Sequence, residues 1–167
     1  MGAFQGVGRI SRMVGRFTGW VGIVLLGLMF VILLLQVFCR YVLNHSLPWP
    51  EEVAVVFSAW LGFLGASIAV RERMHVGFTA IIDSLSRRKK AFFMLFIDGL
   101  IGFFGGYLLL YGWKIAVFVW DKQKTPFTDI PYFYLYISIA IGGGLFIVHS
   151  LALIIENLRI LAGAQES

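Results

Sequence analysis

Four long apolar stretches dominate the chain, over residues 17–39, 53–70, 91–113 and 132–155. The first two contain no charged residue, the third contains only Asp98, and the fourth only the titratable His149. Each reaches or approaches the roughly 20 residues a helix needs to cross about 30 Å of hydrocarbon. None alternates apolar and polar residues like a barrel strand, and lipid offers backbone groups no hydrogen-bond partner, so each is predicted to be a helix. Pro50, Glu51 and Glu52 read as a helix start, which moves the second span back to residue 51. The expected fold is an all-α integral membrane protein: one membrane domain over residues 1–167 with four transmembrane helices, at about 17–39, 51–70, 91–113 and 132–155.

The polar stretches carry patterns of their own. In residues 4–16, Val7, Ile10, Val14 and Phe17 fall within an arc of roughly 80°, at about 100° per helical residue. Arg9, Arg12 and Arg16 cluster opposite, which predicts an amphipathic helix lying in the interface with its arginines toward lipid phosphates. In the 71–90 loop, Phe78, Ile81, Ile82 and Leu85 follow helical spacing, with Asp83, Arg87 and Arg88 off that stripe. A second in-plane helix is therefore expected there. The lipid-headgroup candidates are Arg9, Arg12, Arg16, Arg87, Arg88, Lys89 and Lys90. The first span is expected to be retained rather than cleaved: a signal core is about 7–15 residues, and Phe38 stands where a small residue should precede a cleavage site.

Ten of the 14 Lys and Arg residues lie in the N-terminal flank, the 71–90 loop and the C-terminal tail. The positive-inside rule then puts both termini and that loop in the cytoplasm, and the 114–131 loop in the periplasm. The expected location is the bacterial inner membrane, crossed several times.

Composition narrows the function classes. Hydrophobic residues make up 59% and charged residues 14%, against about a quarter charged in a soluble domain. The net charge of +5 would suit nucleic acid, but the basic residues flank apolar spans, so membrane lipids are the expected partner and nucleic acid is not. Cys39 stands alone, which excludes an intrachain disulfide, a Cys-cluster metal site and a quinone-linked disulfide enzyme. His45 and His75 fall in loops, leaving only His149 inside a span where a haem would need matched axial ligands. No catalytic constellation, cofactor or metal is expected.

Two ionisable residues remain inside the spans. Asp98 and His149 lie on antiparallel helices, each six or seven residues from the cytoplasmic end, or roughly 10 Å deep at about 1.5 Å per residue. They are expected to hydrogen-bond to each other or to a partner subunit, with a plain packing contact or a protonated carboxylate as the alternatives. On the outer side, Arg40 ends the first helix near Glu51 and Glu52 and is placed to pair with one of them. Small residues recur at packing spacing in Gly15-Gly19-Gly22, Gly62-Gly65-Ala66, Gly99-Gly102-Gly106 and 142–144. Four helices cannot use so many small faces among themselves, which points to a protein partner.

One stretch is specific enough to resemble a family. Arg40-Tyr41, Asn44, Ser46-Leu47-Pro48-Trp49, Glu51-Glu52, Trp60, Phe63-Leu64-Gly65-Ala66, Ala69, Arg71 and His75-Val76 resemble the small permease subunit of tripartite ATP-independent periplasmic (TRAP) transporters. Thr125-Pro126, Ile130-Pro131 and Tyr136 also look like that family, and the resemblance covers about residues 15–158. Thr79 departs from it, standing where an acidic residue is expected.

The resemblance implies a non-catalytic scaffold subunit of a sodium-coupled importer of organic anions such as sialic acid or C4-dicarboxylates. A periplasmic binding protein would deliver the anion, and a large membrane subunit would hold the substrate and sodium sites and move like an elevator. It also implies that Arg40, Trp49, Glu51 and Glu52 order the helix 1–2 connection and contact a partner, while Trp60, Gly62, Gly65 and Ala66 line a packing face. Lys122, Lys124 and Asp129 are docking candidates, and Asp98 and His149 interface candidates, with no substrate-binding residue expected in this chain. The alternative from the residues alone is an autonomous small exporter coupled to protons through Asp98; a haem enzyme is more distant.

Overall fold

The four apolar spans all become helices, and the helices run past them. The computed structural model describes residues 2–74 and 87–163. Within these, α1 covers Gly2–Tyr41, α2 Trp49–Arg71, α3 Arg87–Val119 and α4 Phe133–Gly163. All four are long and apolar enough to cross a membrane.

A separate in-plane helix over residues 4–16 is not what forms. Those residues belong to the same uninterrupted 40-residue helix as the first span, roughly 60 Å long at about 1.5 Å per residue. No proline falls anywhere in residues 2–41, so nothing breaks the helix between the two segments. The face turned inward is small and polar, with Ser11, Gly15 and Thr18 buried, while Ile10 and Phe17 of the apolar stripe are exposed. Arg9, Arg12 and Arg16 are exposed as well. The second expected in-plane helix, with Phe78, Ile81, Ile82 and Leu85, lies outside the described residues, as do His75-Val76, Thr79 and the side chains of Arg87 and Arg88. Lys89 is exposed and Lys90 half-buried on the first turn of α3.

The expected 114–131 loop shortens because α3 continues to Val119, burying Ala116 and Val119 one and two turns beyond Gly112. Lys114, inside that extension, reaches over the Tyr111 ring at 5.3 Å from its centroid. That placement lets an apolar stem stay on the helix while the ammonium leaves it.

α4 is the centre of the molecule. It packs most extensively on α3 and next on α2; α1 packs on α2 and touches α4 only lightly. The helices thus form a row, α1–α2–α4–α3. Of its most apolar stretch, α4 buries 44% and α1 only 6%.

The α3–α4 contact depends on backbone proximity. A methyl on Gly143 would sit 2.6 Å from the Gly105 carbonyl oxygen, and one on Gly112 2.8 Å from the Ala140 nitrogen. Only hydrogen fits at these crossings, as expected of helices that associate in lipid through close approach. The interior is small and polar, with Ser67, Ser138, Ser150, His149, Asp98 and Asn157 buried. Large apolar side chains such as Phe103, Trp20 and Phe17 point outward. Such an arrangement suits a hydrocarbon solvent, where apolar surface needs no hiding and polar groups do.

Candidate functional site

The polar side chains gather at the two ends of the row, and each end ties helices together. At the end that holds the chain termini, α2 finishes in a tight reversal. The Met74 amide donates to the Ala69 carbonyl at 2.9 Å and the Arg73 amide to Val70 at 3.1 Å. This paired pattern is the Schellman motif, whose left-handed position usually holds glycine. Here that position is Arg73, at φ 55°.

The Arg73 side chain explains the choice of residue. Its guanidinium donates to Asn157 Oδ1 at 3.3 Å and lies 3.7 Å from Asp98 Oδ2. Asn157 Nδ2 in turn donates to the same Asp98 oxygen at 2.7 Å. Residues from the end of α2, from α3 and from α4 therefore meet around one carboxylate that is 3% exposed. Beside this cluster, Ser11 on α1 hydrogen-bonds His149 Nδ1 on α4 at 2.9 Å. The Arg71 guanidinium lies against Gly15, where any side chain would displace it.

The expected Asp98–His149 pair does not form. Depth along the helices is similar for both, but His149 faces α1 and Asp98 faces the Arg73–Asn157 side. Each ionisable group still has a polar partner on another helix, as residues in this position require.

At the opposite end, Trp49 and a buried Pro50 open α2, followed by Glu51 and Glu52 in its first turn. Gln36 Nε2 on α1 donates to Glu51 at 2.8 Å. Glu52 reaches the α3–α4 loop, where its two oxygens accept the amides of Phe127 and Thr128, both at 2.9 Å. The Thr128 hydroxyl adds a third bond at 2.7 Å. An ionised carboxylate only accepts, so Thr128 must donate to it, and the Thr125 hydroxyl, 2.6 Å from that of Thr128, donates in turn. Thr125 Oγ1 then accepts the Ile130 amide at 3.0 Å, which completes a relay across the loop.

Arg40 does not pair with either carboxylate, since both are engaged elsewhere; it sits 5.9 Å from the centroid of the Tyr41 ring. Glu51 and Glu52 therefore order two different connections, one to α1 and one to the α3–α4 loop. Trp60 is half-buried, and its indole donates to the Tyr134 carbonyl at 2.8 Å. Ala66 joins the core of Val70, Phe146 and Leu153. Gly62 and Gly65 face open space, so the packing face expected of them is not used within this chain. Lys122 is exposed and lies 3.7 Å from the Phe118 ring centroid. Lys124 is exposed too, its backbone bridging Pro131, and Asp129 adopts a left-handed φ of 52° in the same loop.

Ser11, Gln36, Arg73, Thr128 and Asn157 are working residues that the sequence does not single out, and Thr125 stands out in it only through the family resemblance. Gln36 carried a signal, as a polar residue inside an uncharged span. Asn157 lies just past the expected end of its span, and Arg73 is one of six basic residues in the 71–90 loop with nothing in the sequence to set it apart.

A family model described as "Tripartite ATP-independent periplasmic transporters, DctQ component" matches residues 29–160. The C4-dicarboxylate TRAP transporter small permease protein of Rhodobacter capsulatus is 28% identical over 101 residues, covering 60% of this chain and 44% of that protein. The sialic acid TRAP transporter small permease protein of Vibrio cholerae is 20% identical over 163 residues, covering 95% of this chain and 91% of its own. The sialic acid TRAP transporter permease protein of Haemophilus influenzae is 29% identical over 90 residues, covering 54% of this chain but 15% of its own length. The chain thus spans less than half the length of the Rhodobacter relative.

Proposed function

This chain belongs to the DctQ-component family of TRAP transporters, and from that membership we propose that it is the fixed scaffold of a sodium-coupled importer of organic anions. The carrying observation is that Asp98 and His149, the ionisable side chains that interrupt the apolar runs, are each hydrogen-bonded to a neighbouring helix. A transport pathway uses such groups to meet substrate or protons; here they lock helices to each other.

The partner is a large membrane subunit. In the Haemophilus relative the matching segment is a small share of a much longer permease protein, which supports a division of labour between this chain and a larger moving part. That large subunit holds the sodium and substrate sites and moves against the row as an elevator. The substrate is an organic anion of the kind named for the relatives, sialic acid or a C4-dicarboxylate. Both termini face the cytoplasm. The end bearing the Glu52-pinned loop faces the periplasm, where Lys122, Lys124 and Asp129 meet the binding protein.

Proteoliposome transport tests this directly. Uptake should require this chain, a large subunit and a binding protein together, and should follow an inward sodium gradient. Export by this chain alone, abolished by Asp98→Asn, would replace the scaffold with the proton-coupled exporter.

A further inference from the structure

Two cavities open between α1 and α4. Nearer the termini is a polar one of about 300 Å³, walled by Ser11 and Arg12 of α1, Arg71 at the end of α2, and Glu156 and Arg159 of α4. Further along the same helices is an apolar groove of about 480 Å³, walled by Phe17 and Val21 of α1, Trp60 and Leu64 of α2, and Ile141 and Leu145 of α4. Ile141, Leu145, Ala152, Glu156 and Arg159 share one face of α4, at spacings of three, four and seven. From Leu145 to Ala152 is about 10 Å along the axis. A single elongated molecule can therefore lie against this face and touch both cavities.

Charge identifies the class of molecule. The polar cavity gathers three guanidinium groups against one carboxylate. Arginine forks match phosphate oxygens in paired hydrogen bonds. Arg71 is confined against Gly15 with its side chain 21% exposed, so little freedom is lost on engaging an anion; the exposed Glu72 lies 3.9 Å from it, which still leaves three guanidinium groups against two carboxylates. The depth fits as well. α2 has 23 residues, about 34 Å of helix, so Arg71 at its end lies where hydrocarbon gives way to headgroups. Basic pockets between transmembrane helices at that level are headgroup sites. Glu156 adds an acceptor for a hydroxyl donor, such as the glycerol of a phosphatidylglycerol headgroup.

We propose that this crevice holds one anionic phospholipid, its phosphate on Arg12, Arg71 and Arg159 and an acyl chain in the apolar groove beside Leu145 and Trp60. The lipid fills the gap where α1 touches α4 only lightly, and so acts as a structural wedge for the first helix.

Native mass spectrometry of the full chain in detergent, titrated separately with phosphatidylglycerol, phosphatidylcholine and inorganic phosphate, tests this. Phosphatidylglycerol adducts should outlast phosphatidylcholine adducts by about tenfold, because choline brings a cation up to the three guanidinium groups and the glycerol headgroup does not. The Arg71→Gln/Arg159→Gln double variant should erase that preference. Leu145→Trp, which fills the groove without changing charge, should weaken retention too. Lys114→Gln, which removes one charge at the other end of the row, should leave retention as it is. Circular dichroism confirms the fold of each variant. Should the double variant not fold, Arg12→Gln, at an exposed position, gives the same readout. Equal retention of phosphatidylcholine would overturn the proposal, as would an equal loss in Lys114→Gln. Protection by inorganic phosphate as strong as by phosphatidylglycerol would make the ligand a free anion, and would also overturn it.

Discussion

Arg73 stands where the helix-ending motif asks for glycine, and the cost and gain of that choice can be separated. A non-glycine residue at positive φ costs about 1–2 kcal/mol. Against this, the guanidinium serves the buried Asp98 carboxylate together with Asn157, and leaving such a group without its partner costs about 1–3 kcal/mol. Arg73→Gly should therefore lower the melting temperature of the otherwise unaltered chain. With Asp98→Asn already present there is no charge to serve, and the same Arg73→Gly change should raise it. Thermal unfolding of the four combinations in detergent reads the sign. A loss of equal size in both backgrounds would mean that Arg73 does not act through Asp98. Hydropathy alone flagged Asp98 and His149, because both interrupt apolar runs, but depth along a helix does not give direction around it. His149 and Asn157 are eight residues apart, roughly 80° around α4, and that angle sends one to Ser11 on α1 and the other to Asp98 on α3.

At the scale of the helices, glycines that look alike in the sequence divide into two kinds. Gly143 meets the Gly105 carbonyl and the Leu109 nitrogen, each 2.6 Å from where its Cβ would be; Gly62 meets nothing within 4 Å. Gly143→Ala must push backbone apart, so it should destabilise the chain by about 1–3 kcal/mol, as overpacking does. Gly62→Ala should leave the chain's own melting unchanged or slightly raised, since alanine is the better helix former. If Gly62 faces the large subunit, Gly62→Leu should reduce co-purification with it while the isolated chain melts normally. Unfolding curves alongside pull-down yields separate the two effects, and a Gly62→Ala chain that melts as low as Gly143→Ala would show that its face is packed after all. The small-residue runs were legible in the sequence; which of them face a neighbour was not, because that depends on the row order of the helices. The start of α2 was equally legible from Pro50, Glu51 and Glu52. What Glu52 does there was hidden: its partners are the backbone amides of Phe127 and Thr128, and backbone amides leave no mark on the sequence.

The whole molecule is a row pinned at both ends, by the Asp98 cluster and Ser11–His149 at one and by Gln36–Glu51 and Glu52 at the other. Its middle relies on close backbone packing and leaves most large apolar side chains facing outward. The scaffold role proposed above asks for a row tied in this way at both membrane faces. Four helices put the two termini on one side, and the charge distribution predicts that this side is the cytoplasmic one. Ten of 14 Lys and Arg residues lie with the termini, where they oppose translocation. Alkaline phosphatase fused after Asp121, in the α3–α4 loop, should therefore be active in intact cells, and a fluorescent protein fused to the C-terminus should glow. The complementary fusions, phosphatase at the C-terminus and fluorescent protein after Asp121, should both be silent. The opposite pattern would invert the row in the membrane and carry Lys122, Lys124 and Asp129 to the cytoplasm, away from any periplasmic binding protein. It would leave the helix contacts unchanged, because none of them depends on which leaflet the arginines meet.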